Sequence, residues 1–406
     1  MKHRILIAGA EHPVILRKAH SLGMDVVLVR RSHAATQSGE ASAVVVADIT
    51  SANELARIAR AHGAHGIYAS TDDAVFAAAE AAHALGLPGP DPAAMKRIHD
   101  VSATRAALAS HDVACPRFGV ASTLDQAREI ALEIGLPAKV GAVHALAGLP
   151  TWQVDYIEDL ALAFSRAIKR SPSREVIVET AIPGRRYYIE GVISASFAPA
   201  GVIGRIPFEL PFDFDDGIFA PPALESSEHA ELIGAARRAI DAVGLDSACV
   251  RVEIAMAPKG ACVLGVCPWR PGGQIPSDLV LPAYGVDLLG NALRLAVGES
   301  PEGGTASGAG WALRWIPSGS GVVTGVEGLE QARAVPGVRA IEVFVTPGER
   351  IGHLVDATSR DRIGYVLATG DTVDRALAAA NEARGLCRIV TAPTVSAAPP
   401  ADKGPH

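Results

Sequence analysis

Aromatic side chains and cysteines are both scarce in this chain. Of its 406 residues, 5% are Phe, Trp or Tyr and five are Cys. Cys115, Cys249, Cys262, Cys267 and Cys387 are odd in number and irregularly spaced. Reduced thiols in a cytoplasmic protein are therefore the simplest reading. No apolar run reaches the ~18 residues of a membrane helix. Met1-Lys2-His3-Arg4 leads straight into "ILIAGA", too short an apolar run for export, so no membrane partner is expected. Positive charge is not in excess either: 37 basic residues face 44 acidic ones, a net charge of −7. This argues against nucleic acid as the main partner. There are no internal repeats.

What is present is a chain 49% hydrophobic with 40 glycines, enough for a large core with many short turns. Strand-like runs alternate with helical patterns at first: "RILIAGA", "DVVLVRR", "AVVVADI" and "GIYAS". Ser51 with Glu54 three residues on reads as a capping box for the helix between the last two. Such alternation predicts a parallel, doubly wound, Rossmann-like sheet ending near Pro88–Pro92. Residues 93–114 read as helical. An α+β region follows, with helices at Leu124–Leu136, 159–170 and Ser227–Val243, strands in "EVIVETAIPGRRYYIEGVI", an acidic aromatic loop "FDFDDGIFAPP", and a hairpin "ACVRVEIAMAPKGACVLGV" turning at Pro258-Lys259-Gly260. Strands return from Gly310. The tail from residue 391 has no apolar period and is expected to be disordered.

The order "GLP", a small-residue loop, "VIVETAIPG", "YYIEG", "VRVEI" and "PWRPGG" resembles the ATP-grasp superfamily, in particular its biotin-carboxylase-like and L-amino-acid-ligase-like carboxylate–amine ligases. The resemblance covers about residues 3–390. It implies an α/β and α+β protein: a Rossmann-like pre-ATP-grasp domain (1–92), an ATP-grasp domain of two clamping subdomains (93–309, the first about 115–180), a C-terminal mixed α+β domain (310–390) and a tail (391–406). It implies ATP and Mg²⁺ as cofactors, an acyl-phosphate route to an amide, an amino acid, carboxylate or phosphate as small-molecule partner, and a homodimer.

Residue by residue, the resemblance gives Glu179 the hinge position where backbone receives adenine. The place of a ribose-binding Glu holds Arg186, whose guanidinium has no acceptor but suits an anion; Glu190 keeps an acidic position further on. Asp100 is followed by Val101 where a phosphate-contacting Lys is expected. Lys139 is the candidate for the second Lys, two residues early. "GAVHALAGL" retains only Gly141 and Gly148 of a glycine-rich phosphate loop, with His144 inside it. Glu253 matches the first metal carboxylate, whereas the second metal motif reads Gly265 and Cys267. Magnesium takes oxygen rather than thiolate ligands. Arg270, with Gly272-Gly273, keeps the arginine of the catalytic anion site, and Cys267 beside it is a nucleophile only if its pKa is depressed. Asp213, Asp215 and Asp216 lie where amino-acid ligases build an acceptor pocket and suit an ammonium group; Arg205 and Arg251 add anion contacts. Against each role stands an ordinary one: a solvated strand or loop residue, or a buried structural thiol. Two readings of function therefore stand. One is an ATP-dependent ligase of a small acid or amino acid. The other is an ATP-independent enzyme or non-catalytic protein using the same cleft for a small anion, with no cofactor.

Overall fold

The computed structural model describes residues 3–9, 13–31, 41–144, 151–208, 215–269, 279–316, 319–352 and 363–393. The expected parallel sheet is there: β1 (Arg4–Ala8), β2 (Asp25–Arg30), β3 (Ala43–Val46) and β4 (Gly66–Ala69) lie in the order β3-β2-β1-β4. Every contact between them is parallel; the helices Pro13–Ser21 and Ala52–Ala61 carry the chain back over the sheet between β1 and β2 and between β3 and β4. Ser51 caps its helix by accepting from Glu54 N at 3.3 Å. The Glu54 carboxylate instead accepts from Asp48 N at 2.9 Å, so the predicted box is made on one side only.

The helical stretch read over 93–114 is two helices, α1 (Pro92–His99) and α2 (Val101–Ser110). Asp100 ends the first and caps the second, accepting from Ala103 N at 3.0 Å. Next comes a small antiparallel sheet of β5 (Phe118–Ala121), β6 (Ala138–Ala142), β7 (Trp152–Val154) and β8 (Val176–Thr180), in the order β5-β8-β6-β7. Two amphipathic helices, Leu124–Ile134 and Leu160–Arg170, bury Ala127, Ala131, Leu160 and Ala163 against it. This small sheet covers the stretch (about 115–180) that the resemblance implies as the first clamping subdomain, and is termed the lid.

The large sheet has eight strands in the order β13-β12-β9-β10-β11-β14-β18-β16. They are β9 (Arg185–Ile193), β10 (Phe197–Pro207), β11 (Asp215–Ala220), β12 (Ala248–Ala257), β13 (Gly260–Pro268), β14 (Gly310–Trp315), β16 (Val338–Val343) and β18 (Gly364–Gly370). The last three come from the C-terminal segment, so one sheet runs from residues 185–268 into it. β15 (Gly321–Glu327), β17 (Arg350–Ile351) and β19 (Arg388–Ala392) form a separate three-stranded sheet.

Successive strand residues face opposite sides. On β9, Tyr187, Ile189 and Ile193 bury against the helix Ser226–Val243, and on β12 Val250, Val252 and Ile254 do the same. The opposite face therefore receives Arg186, Tyr188 and Glu190 from β9, and Arg251 and Glu253 from β12.

Candidate functional site

Alternation alone collects the charges on that face, and register sets the pairs. Arg251 stands opposite Glu190, and Glu253 opposite Tyr188. Arg251 Nε donates to Glu190 Oε1 at 2.5 Å. Arg205, from β10, donates from Nε to Asp215 Oδ1 at 2.6 Å and through NH1 to Glu253. Arg186 NH1 approaches the same Glu253 oxygen at 3.6 Å. Tyr188 lies between two guanidiniums, its ring centroid 4.6 Å from Arg205 Cζ and 4.5 Å from Arg251 Cζ. Its hydroxyl donates to Asp215 Oδ2 at 2.8 Å. Six charged groups and one ring thus form a single network in which opposite charges pair, cations stack on a π face, and the ring's hydroxyl donates to a carboxylate.

Burial shapes the titrations. Glu190 is 0% exposed, and desolvation lifts its pKa above the ordinary carboxylate value despite the opposing pull of Arg251. Burial first, and the Asp215 carboxylate after it, hold the Tyr188 hydroxyl protonated beyond its usual range against the pull of Arg205. Burial also pushes the Cys267 thiol up, with its Sγ donating to Arg251 O at 3.6 Å. A raised thiol pKa is the reverse of what a nucleophile needs.

Asp215 and Asp216 fall on a strand rather than in the expected loop, and so face opposite ways. Asp215 enters the network. Asp216 accepts from both Arg384 terminal nitrogens at 2.8 Å and from Arg314 NH2, all on the C-terminal segment. They do not share a pocket for an ammonium group. Asp213, Arg270, Gly272 and Gly273 lie outside the described residues.

On the lid, Glu179 is a buried residue and not a surface one. It pairs with Arg105 Nε at 2.5 Å, the two side chains being 10% and 4% exposed. Arg105 NH2 also donates to Leu264 O of β13 at 2.6 Å. One guanidinium on α2 thereby ties the lid strand β8 to the edge of the large sheet. Lys139, buried, stands opposite Glu179 on β6. Two residues in a strand keep the same face, displaced ~6.6–6.8 Å along it. At Gly141, where the family lysine is expected, a Cβ would meet Thr151 Cγ2 at 2.9 Å. His144 pairs backbone with Asp100 and bonds Ser173 Oγ at 3.1 Å through Nδ1. Its ring lies 5.9 Å from that of His99.

Around Glu253 the other donors are few. Gly265, opposite Glu253 on β13, offers none, and Cys267 offers sulfur. Among the described residues no group of three or more His, Cys, Asp or Glu side chains could hold a metal ion.

Residues 100–302, half of the chain, match the family "Carbamoyl-phosphate synthase L chain, ATP binding domain", and residues 16–89 match "ATP-grasp N-terminal domain". The chain belongs to the ATP-grasp superfamily. Residues 314–392 of this ATP-grasp protein match "L-amino acid ligase C-terminal domain 2". It is 27% identical to uncharacterized protein y4rH of Sinorhizobium fredii, over 88% of this chain and 73% of that one. It is 26% identical to the carbamoyl phosphate synthase large chain of Xanthomonas axonopodis pv. citri, over 50% of this chain and only 19% of that one. The fold is similar to that of L-amino acid ligase from Bacillus licheniformis: TM-score 0.82, 19% identity, 97% and 99% of the two chains covered. The chain is thus related to ATP-grasp carboxylate–amine ligases. No described helix is long and apolar enough to cross a membrane.

Two members of the site escape the motif comparison. Tyr188 is two residues from both Arg186 and Glu190, so strand periodicity alone would have placed it with them. Arg105 lies one helical turn beyond Val101, where the expected lysine is absent. Tyr188→Phe keeps the stacked ring and removes the bond to Asp215. Its expected cost is about 1.5–3 kcal/mol, the range for hydrogen bonds to charged groups, measured by urea unfolding; a change below 0.5 kcal/mol (about the scatter of surface substitutions) would contradict the network.

Proposed function

We propose that this ATP-grasp protein binds a small anion bearing a carboxylate or phosphate in the cleft between lid and large sheet, without the magnesium-dependent phosphoryl transfer of its ligase relatives. One observation carries the reading: Arg205 and Arg186 already hold the Glu253 carboxylate, beside a glycine and a thiol where further oxygen donors are needed. These residues do not fit a magnesium site: magnesium is held by one or two carboxylates with waters and substrate phosphates, and the one carboxylate here is already taken by two guanidiniums.

Binding in such a site is exchange. An incoming phosphate or carboxylate competes with Glu253 for the same guanidiniums, whose planar forks suit either anion. Arg186, the longer contact at 3.6 Å, is the first to turn to the ligand, with Arg270 as the second contact implied by the resemblance. Lys139 and Glu179 remain the hinge-side contacts, and the protein remains a cytoplasmic homodimer in this reading.

A specific observation favours the runner-up, an ATP- and Mg²⁺-dependent ligase of an amino acid: the lid keeps Lys139 opposite Glu179. Glu253→Gln separates the two with opposite signs. Under anion exchange it removes the competitor and tightens pyrophosphate binding about tenfold, or ~1.4 kcal/mol, in calorimetry, while Arg270→Ala weakens it. Under the ligase reading Glu253→Gln abolishes a Mg²⁺-dependent response to ATP that the natural chain displays. Weaker pyrophosphate binding by Glu253→Gln would defeat the exchange model.

A further inference from the structure

The junction between lid and large sheet carries two thiols that the cleft does not use. The segment just before β5 lies along the outer edge of β13, joined to it by a hydrogen bond from Val263 N to Ala114 O at 2.8 Å. Cys115 follows Ala114 and Cys262 precedes Val263, so each thiol is one residue from that bond. Consecutive Cα atoms are 3.8 Å apart, which brings this pair within reach of the 4.4–6.8 Å window that a disulfide requires. The two thiols also share their surroundings. Arg105 and Glu179 act electrostatically on both, and Cys115 acts directly on Cys262. Cys115 is half-buried and Cys262 buried.

We infer that Cys115 and Cys262 form a reversible disulfide that fastens the root of the lid to the edge of the large sheet. The co-reactant is a small disulfide of the glutathione class. The Cys115 thiol, the more open of the two, loses its proton and attacks one sulfur of oxidised glutathione. One glutathione thiolate leaves, and Cys115 carries a mixed disulfide. The Cys262 thiolate then attacks the Cys115 sulfur and expels the second glutathione. In sum two protein thiols give up two electrons and two protons, and one glutathione disulfide becomes two glutathione thiols. Arg105, bonded to both Glu179 and Leu264 O, already joins these two elements without a covalent bond. The disulfide makes the same join permanent until it is reduced.

Burial pushes Cys262 up to about 11 and raises Cys115 as well. The thiolate is therefore a small fraction at neutral pH, and the rate of closure rises up to about tenfold per pH unit while pH stays below both values. The test is peptide mapping of the full chain equilibrated with oxidised glutathione at pH 8.5, without reductant. The expected product is a cross-link between the tryptic peptides carrying Cys115 and Cys262, reversed by dithiothreitol. It is retained in Cys267→Ser and lost in Cys262→Ala. Glutathione stable on Cys115 alone, a cross-link to Cys267, a bond between two chains, or no reaction would each overturn the inference. Fragmenting the cross-linked peptide from the unmodified sequence, to tell Cys262 from Cys267 on the one tryptic peptide they share, keeps the result independent of whether Cys262→Ala folds.

Discussion

Gly265→Glu is expected to give this protein a magnesium response that the natural chain lacks. Gly265 pairs with Glu253 across β12 and β13, and directly opposed residues carry their Cβ atoms about 4.5–5.5 Å apart. A Cβ built at Gly265 meets nothing within 4 Å, so the new side chain has room. Two adjacent carboxylates repel each other without a cation and share one when it is supplied. The variant should therefore melt below the natural chain in a chelator and recover with Mg²⁺. Cys267→Asn added to it, two residues on and on the same face, offers an oxygen where there is sulfur. With free Mg-ATP at about 100 times its Kd, the double variant should gain about 2.7 kcal/mol. The readout is thermal unfolding with and without Mg²⁺. A magnesium-dependent ATP shift already present in the natural chain would show that the missing donors are not missed, and silence from the double variant would show that something else closes the site to metal.

Arg251→Ala is expected to be the most damaging single change on the large sheet. It leaves Glu190, 0% exposed, without its cation. Removing one member of a buried pair costs on the order of 3–5 kcal/mol. The loss has a sign with pH. Glu190 already has a raised pKa in the folded state, and the variant raises it further. Between the unfolded value, near 4.5, and the raised folded value, the folded chain holds more protons than the unfolded one, so stability falls as pH rises through that window. Below it the carboxyl is protonated in both states and the penalty vanishes. Arg251→Ala should thus approach the natural chain toward pH 4.5 and diverge from it above, and Glu190→Gln with Arg251→Met should recover most of the loss at pH 7. Urea unfolding at a series of pH values measures this. A defect of Arg251→Ala that does not change with pH would place its origin in lost packing.

The fold was legible because its signals are periodic and local. The four apolar runs of the N-terminal sheet, the capped helices and the Pro258–Gly260 turn announce themselves within a few residues. The order of motifs then names the superfamily. The site was legible as a list of positions and not as an arrangement. Glu253, Arg205 and Arg186 could be picked out singly, but that two arginines hold one carboxylate depends on the register of β9, β10 and β12, which short motifs do not encode. Asp215 and Asp216 were misjoined because an acidic, aromatic stretch reads as loop; as strand residues they part to opposite faces. Glu179 stayed open between a hinge residue and a solvated strand residue because its partner, Arg105, is 74 positions away. Long-range pairing is where reading by spacing runs out.

The eight-stranded sheet bears on how such proteins can be cut and recombined. Strand β14 pairs with β11 through four residue pairs, from Gly217–Arg314 to Ala220–Trp311, so stopping the chain at residue 309 would strip β11 of a neighbour and bare a sticky hydrogen-bonding edge to other copies. The linear sequence offers a seam there, but the woven fabric does not. A chimera that borrows the clamp of this molecule must take its closing quarter along with it.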